Sequence, residues 1–238
     1  MRAACRRRLT GGEGAQLREL EAIIFDCDGV LVDSEIIHVA AERELLAELG
    51  LAYEQETYLT RFVGLSNADF HAELQLDYAR LIGGEFPSDF GSRLGDIVWP
   101  RIEAELTAIH GVADLVHFFE GAVAVGSSSP YEKLLKKLDL TGLRSLFAPH
   151  IYSADHVNAG KPAPDLFLHC AKQIRVDPRR CLVIEDSVNG VRAARAAGMI
   201  PVGFVGGGHC DRELEGRLLA NGAEMVVSHH SQIKSLLG

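Results

Sequence analysis

The sequence is short of several things, and each shortage excludes something. No apolar run in its 238 residues is long enough to span a bilayer. Positive charge is scarce: 24 Lys and Arg stand against 33 Asp and Glu, a net charge of −9, so a nucleic-acid footprint is not expected. Cysteines are few and odd in number, at Cys5, Cys27, Cys170, Cys181 and Cys210, widely scattered and never at metal-ligand spacing. They read as reduced thiols of a cytoplasmic protein, not as a disulfide framework or a zinc site. Residues 1–19 lack the long apolar segment of a secretory signal, and Arg2, Arg6, Arg7 and Arg8 are followed by Gly11, Gly12, Glu13 and Gly14. A disordered extension is expected there. The remaining composition is that of a globular chain with enough apolar mass for a core. No pattern specifies an oligomeric state.

One stretch organises what is present: Ile23-Ile24-Phe25-Asp26-Cys27-Asp28-Gly29. Three apolar residues running into an acid, a gap and a second acid predict a buried strand that delivers its C-terminal end to a site. Two carboxylates on one side of that end crowd each other, which raises a pKa or calls for a cation. A solvated loop with a turn glycine is the alternative that a lone Asp-x-Asp leaves open.

Downstream, Ser34 precedes a helical pattern that stops at Gly50, with Ser34 expected as its N-cap. Further helices are expected over residues 54–62, 67–81 and 94–109, with Gly83, Gly84, Pro87 and Gly91 as breakers. A strand-free stretch this long inside a chain that otherwise alternates strand and helix predicts an inserted helical domain over residues 34–110. The core is then residues 20–33 and 111–238. Its strands are expected at residues 122–125, 151–153, 181–184, 201–204 and 225–227, separated by helices. That alternation predicts an α/β, doubly wound, mostly parallel, Rossmann-like sheet, with ligands at the C-terminal strand ends.

Three of those ends carry polar residues of complementary type. The first strand offers Asp26 and Asp28, the strand at 181–184 offers Glu185 and Asp186, and the strand at 122–125 offers Ser127, Ser128 and Ser129. Four carboxylates at one edge repel unless a hard divalent cation sits among them, and Mg²⁺ suits such a set. Hydroxyls and free N–H groups at the start of the helix from Tyr131 make an anion cradle, and Lys161, between Gly160 and Pro162, adds a cation. Together these describe a phosphoryl-transfer site, in which Asp26 can act as nucleophile and Asp28 as acid and base.

The motifs Asp26-x-Asp28-Gly29-Val30 with Asp33-Ser34-Glu35, Val125-Gly126-Ser127-Ser128-Ser129, Lys161-Pro162-x-Pro164-Asp165 and Glu185-Asp186-Ser187-x-x-Gly190 occur in the order found in haloacid dehalogenase-like hydrolases. The chain resembles that superfamily, in its helical-cap branch, from Ile23 to Met199. The resemblance implies Asp26 as nucleophile and Asp28 as general acid and base. It implies Mg²⁺ held by Asp26, Asp28 (through its carbonyl) and Asp186, with Glu185 in support. Ser127, Lys161 and the N–H groups of Cys27 and Ser128 would bind the phosphoryl group. Asp28 argues against a dehalogenase, which has no need of that acid.

The cap sets the substrate. In the similar β-phosphoglucomutases a cap loop brings a lysine and an arginine to a second phosphate; the matching positions here are Val63 and Asn67, and the lysine after the serines is matched by Pro130. A phosphatase of small phosphorylated metabolites, sugar or sugar-acid phosphates, is therefore expected, with His38, Arg61, Asn67 and His209 as candidates for gripping the leaving group. A mutase is the alternative. A catalytically silent binding module would have lost an acid or Lys161, and none is missing. A phosphonatase needs a cap lysine, and none occurs between Ser34 and Ile109.

Overall fold

The computed structural model of the protein describes residues 20–62, 65 and 67–237. The expectations for residues 1–19 and for Val63 lie outside them. Among the described residues, six parallel strands form one sheet in the order β3-β2-β1-β4-β5-β6. They are β1 (Ala22–Phe25), β2 (Ala122–Ser127), β3 (Ile151–Ser153), β4 (Cys181–Glu185), β5 (Ile200–Phe204) and β6 (Met225–Val227). A parallel strand buried on both faces needs apolar residues at every position, which is why β1 reads as an unbroken apolar run. Ile23 and Phe25 face one layer, with Leu182, Ile184 and Phe204. Ala22 and Ile24 face the other, with Val183, Phe167 and Ala194.

The helices are α1 (Ser34–Glu48), α2 (Gln55–Phe62), α3 (Asn67–Leu81), α4 (Phe90–Glu105), α5 (Val112–Phe118), α6 (Tyr131–Leu140), α7 (Arg144–Phe147), α8 (Asp165–Ile174), α9 (Val188–Ala196), α10 (Leu214–Ala220) and α11 (His230–Leu237). Helices α1–α4 form the inserted cap. They pack around Leu45, Leu46, Tyr58, Phe62, Leu74 and Phe90, and α1 meets α4 through Ile37, Ala41, Val98 and Ile102. The two passages between cap and sheet run side by side: Asp33 N–H donates to Thr107 at 3.1 Å and Ile109 N–H to Leu31 at 2.8 Å. No described helix is long and apolar enough to cross a membrane, and Cys27, Cys170, Cys181 and Cys210 are free of disulfides.

Several elements differ from the sequence expectation for local reasons. Ser34 is the first residue of α1 and not its cap, because its hydroxyl donates to Asp28. Asp33, at the cap position, accepts instead from Gly208 N–H at 3.0 Å. Helix α4 starts at Phe90, before the expected residue 94, because Phe90 is buried in the cap core; it stops at Glu105, where the chain turns extended to pair at the passage. Gly91 is accommodated in its first turn. Helices α7 and α10 were not expected at all; α10 is held by Leu214 and Leu218, buried against Val191.

His230 opens α11 fully buried, stacked on Phe204 with ring centroids 4.6 Å apart. Its Nε2–H donates to the Val30 carbonyl at 2.9 Å, and Nδ1 has no partner among the described residues. A proton on Nδ1 would be an uncompensated buried charge, and burial holds the pKa down at about 4. An unfolded histidine binds its proton near pH 6.5, so between there and pH 4 the unfolded chain takes up a proton that the native one refuses. Stability should therefore fall as pH drops through this window, by up to about 3 kcal/mol from this residue. Urea midpoints followed from pH 7 to pH 4 should show a steeper decline for the wild type than for His230→Gln, which keeps a donor for Val30. Parallel curves would refute the assignment.

Candidate active site

The chain leaves β1 on one side of the sheet, through the cap to β2 and β3, and then crosses to β4 on the other side. The C-terminal ends of β1 and β4 thus flank the switch point, where open α/β sheets bind ligands. Asp26 follows β1 directly, its N–H still paired to Ile184 at 3.0 Å. The chain then turns tightly, Leu31 N–H donating to Cys27 at 2.8 Å, with Gly29 in the left-handed region at φ +73°. A Cβ on Gly29 would lie 1.8 Å from Asp186 Oδ2, so this turn requires glycine twice over.

Lys161 Nζ lies 2.6 Å from Asp26 Oδ1 and also donates to Glu185, its side chain 4% exposed. Glu185 ends β4 fully buried and accepts from the Ser187 N–H at 3.1 Å and hydroxyl at 2.8 Å. Ser187 in turn caps α9, accepting from Gly190 N–H at 3.0 Å. A Cβ on Gly190 would sit 1.8 Å from Glu185 Cδ, which explains the glycine of that motif. Asp186 is paired with His209 Nε2 at 3.2 Å. Ser127 closes β2, buried, and its hydroxyl accepts from Ser129 N–H at 3.0 Å.

Carboxylate oxygens of Asp26, Glu185 and Asp186 all lie within 4.8 Å of one another. Burial pushes the Asp26 carboxyl up more than the Lys161 ammonium pulls it down, and burial likewise raises Asp186 against its bond to His209. Burial works against the charge of Lys161 too, but the two carboxylates beside it hold it protonated. The same contest is won by Asp186 at His209, lifted to about 11. Three buried carboxyls stand together here, with one lysine beside Asp26 and Glu185 and one histidine beside Asp186. The set is all oxygen and crowded, so it fits a hard divalent cation. Asp28 carries its carboxylate outside this cluster.

Asp28 instead accepts from Lys137 Nζ at 2.5 Å, from Ser129 Oγ at 2.7 Å and from the Ser34 hydroxyl. Burial alone would raise its carboxyl; the Lys137 ammonium and the two hydroxyls outweigh it and hold it at about 2. Cys27 is fully buried in the sheet layer, its thiol pushed up by burial.

The cleft over these residues is lined by Asp26, Asp28, Ser127, Ser128, Lys161, Asp186 and His209 from the core side and by Glu35, Arg61 and Asp69 from the cap. The structure therefore brings the sequence-selected acids, serines and lysine together. Arg61 reaches the cleft with its guanidinium bound to Asp77 at 2.5 Å and Glu73 at 2.6 Å. His38 is half-buried on α1, its pKa lowered by burial and by Lys137 nearby. His209 belongs to the loop after β5 on the core side, buried against Asp186, and not to the cap. The Asn67 side chain lies outside the described residues. The anion cradle differs in one respect: the Tyr131 N–H is taken by Asp155 Oδ2 at 2.7 Å, leaving the serine turn ahead of α6 to face the cleft.

Lys137 belongs to no motif of the sequence, and Glu35 enters only as part of Asp33-Ser34-Glu35 with no role of its own. Burial, reinforced by the Asp28 charge, pushes the Glu35 carboxyl up to about 8. The available signal for Lys137 was helical spacing, which places it beside Leu134 and Leu138 on the inward face of α6.

Comparison with known proteins places this geometry. The family model described as haloacid dehalogenase-like hydrolase matches residues 20–198. The chain is 37% identical over 186 residues to a fructose-1-phosphate phosphatase of Escherichia coli, covering 74% of this chain and 92% of the relative. It is 28% identical over 184 residues to the 6-phosphogluconate phosphatase of the same organism, covering 77% and 81%. Among solved structures, a haloacid dehalogenase-like protein from Agrobacterium tumefaciens superposes with a TM-score of 0.85 at 36% identity, over 92% of this chain and 97% of that one.

Proposed function

This chain belongs to the haloacid dehalogenase-like hydrolases, and on that premise we propose that it is a Mg²⁺-dependent phosphatase of sugar or sugar-acid phosphates that works through an aspartyl-phosphate. The observation that carries the reading is Lys161 bridging Asp26 and Glu185 beside Asp186, under a cleft rimmed by Ser127 and Ser128. Asp26, the Asp28 carbonyl, Asp186 and Glu185 would hold the ion, which when bound offsets charge on the phosphoryl oxygens and on Asp26. Ser127, Lys161 and the N–H groups of Cys27 and Ser128 hold the phosphoryl group in line with Asp26.

The Asp26 carboxylate attacks phosphorus, the bond to the leaving oxygen breaks, and that oxygen takes a proton from Asp28. Water then gives its proton to Asp28 and attacks phosphorus, which frees Asp26 and inorganic phosphate. With its carboxyl held at about 2, Asp28 stands in the base form that the second half requires. A bound phosphate dianion beside it disfavours that charge and moves it toward the acid form needed in the first half.

Hydrolysis is favoured over mutase chemistry by the state of the cap. Arg61, the cap arginine at the cleft, is already held by Glu73 and Asp77. A second phosphate there would have to displace those partners, at about 1.5–3 kcal/mol for each charge-assisted bond lost. The relatives named for fructose 1-phosphate and 6-phosphogluconate support a sugar or sugar-acid leaving group, and free cysteines suit a cytoplasmic setting. The test is a panel of sugar, sugar-acid and nucleotide monophosphates scored for phosphate release and for isomer formation. Phosphate release from one or more sugar esters without isomerisation is expected. Bisphosphate-stimulated conversion of β-glucose 1-phosphate to glucose 6-phosphate would establish the mutase instead.

A further inference from the structure

The fold puts Lys137 where few lysines go. Its side chain is 6% exposed, with Nζ 2.5 Å from Asp28 Oδ1 and 3.2 Å from Ser129 Oγ. Asp28 Oδ1 also accepts the Ser34 hydroxyl, whereas Oδ2 accepts, among the described residues, only Ser129 Oγ at 2.7 Å. The two oxygens are thus held unequally, one by an ammonium and a hydroxyl, the other by a single neutral hydroxyl. Charge-assisted bonds are the stronger kind, so Oδ2 gives up its partner first. Stability does not account for the lysine, since a well-packed apolar side chain of similar volume commonly serves as well or better in place of a buried ion pair.

We propose that Lys137 is a positioning residue for the acid–base carboxylate: it pins Asp28 Oδ1 to α6 while Oδ2 exchanges the Ser129 hydroxyl for the leaving-group oxygen, and later for the attacking water. Lys137 touches no substrate and transfers no proton; it fixes the torsion about which Asp28 turns. The assignment rests on the phosphatase reading. Without the pin, Asp28 samples orientations from which its oxygen does not reach the leaving group, and general acid catalysis depends on that reach.

The test compares a sugar phosphate, whose alkoxide needs a proton to leave, with p-nitrophenyl phosphate, whose nitrophenolate leaves without one. In the full chain, Lys137→Met should lower kcat for the sugar phosphate about 10–100-fold. The first-turnover burst of nitrophenolate, and KM for both esters, should stay within about threefold of wild type. Lys137→Arg should restore most of the sugar-phosphate rate. Should Lys137→Met fail to fold, Lys137→Gln is read for the same ratio. A packing role would scale both rates together, so equal falls, or no fall in either, overturn the assignment. Asp26→Asn separates the two ways of failing. A wild type no more active than that variant on either ester defeats the phosphatase reading and the lysine's role with it. An active wild type with an unchanged ratio in Lys137→Met defeats the lysine's role alone.

Discussion

Asp26→Asn should abolish turnover, by at least about four orders of magnitude, because removal of an attacking group typically costs that much or more. The amide has the shape of the carboxylate but no nucleophilic oxygen anion, so the covalent step has no substitute within reach: Glu185 is fixed by Lys161 and Ser187, and Asp28 by Lys137, Ser34 and Ser129. The fold should survive. Lys161 keeps Glu185 as its partner, and the substitution removes a carboxyl whose charge burial already disfavours. Thermal midpoints should accordingly stay within about 5 °C of wild type, about 1–2.5 kcal/mol in a chain of this size. Wild type quenched during turnover should carry phosphate on Asp26 that hydroxylamine releases, and the variant none. Retention of more than a tenth of the wild-type rate would sink the nucleophile assignment.

The parts legible in the sequence are those that local pattern alone decides. The run into Asp26 announces a strand buried on both faces, and Glu185-Asp186-Ser187-x-x-Gly190 packs a buried carboxylate, a helix cap and the glycine that clears it into six residues. What stayed hidden depends on neighbours far along the chain. A serine before a helix is ordinarily its cap, and Ser34 is not, because Asp28 outbids the helix for its hydroxyl. Arg61 looked free to grip a ligand, yet Glu73 and Asp77, one turn apart on α3, form an acidic ladder that claims it. His209 pairs with Asp186 only because the loop after β5 folds over the end of β4. Lys137 stayed hidden because a lysine on a helix is ordinarily solvated, although spacing puts this one among leucines.

Withdrawal of a divalent ion should be as severe as loss of the nucleophile, and melting curves can follow it alongside activity. After EDTA treatment and desalting, phosphate release should fall below about 1% of the loaded rate and return on addition of Mg²⁺, as expected when the charge-stabilising group is taken from a phosphoryl-transfer site. The physical ground is the crowding of Asp26, Glu185 and Asp186, whose oxygens lie within 4.8 Å of one another in a buried site. A ligand that binds only the folded chain stabilises it by about 2.7 kcal/mol at a hundredfold excess over Kd, which in a chain of this length raises the melting midpoint by roughly 5–10 °C. Asp186→Asn should remove most of that increment while leaving the metal-free midpoint nearly unchanged, since one crowded charge is lost along with the His209 ion pair. Melting curves of both proteins across a Mg²⁺ titration check this directly. A midpoint that does not move in wild type, or that moves equally in Asp186→Asn, would place the ion elsewhere and dissolve the link between the acids of β1 and β4.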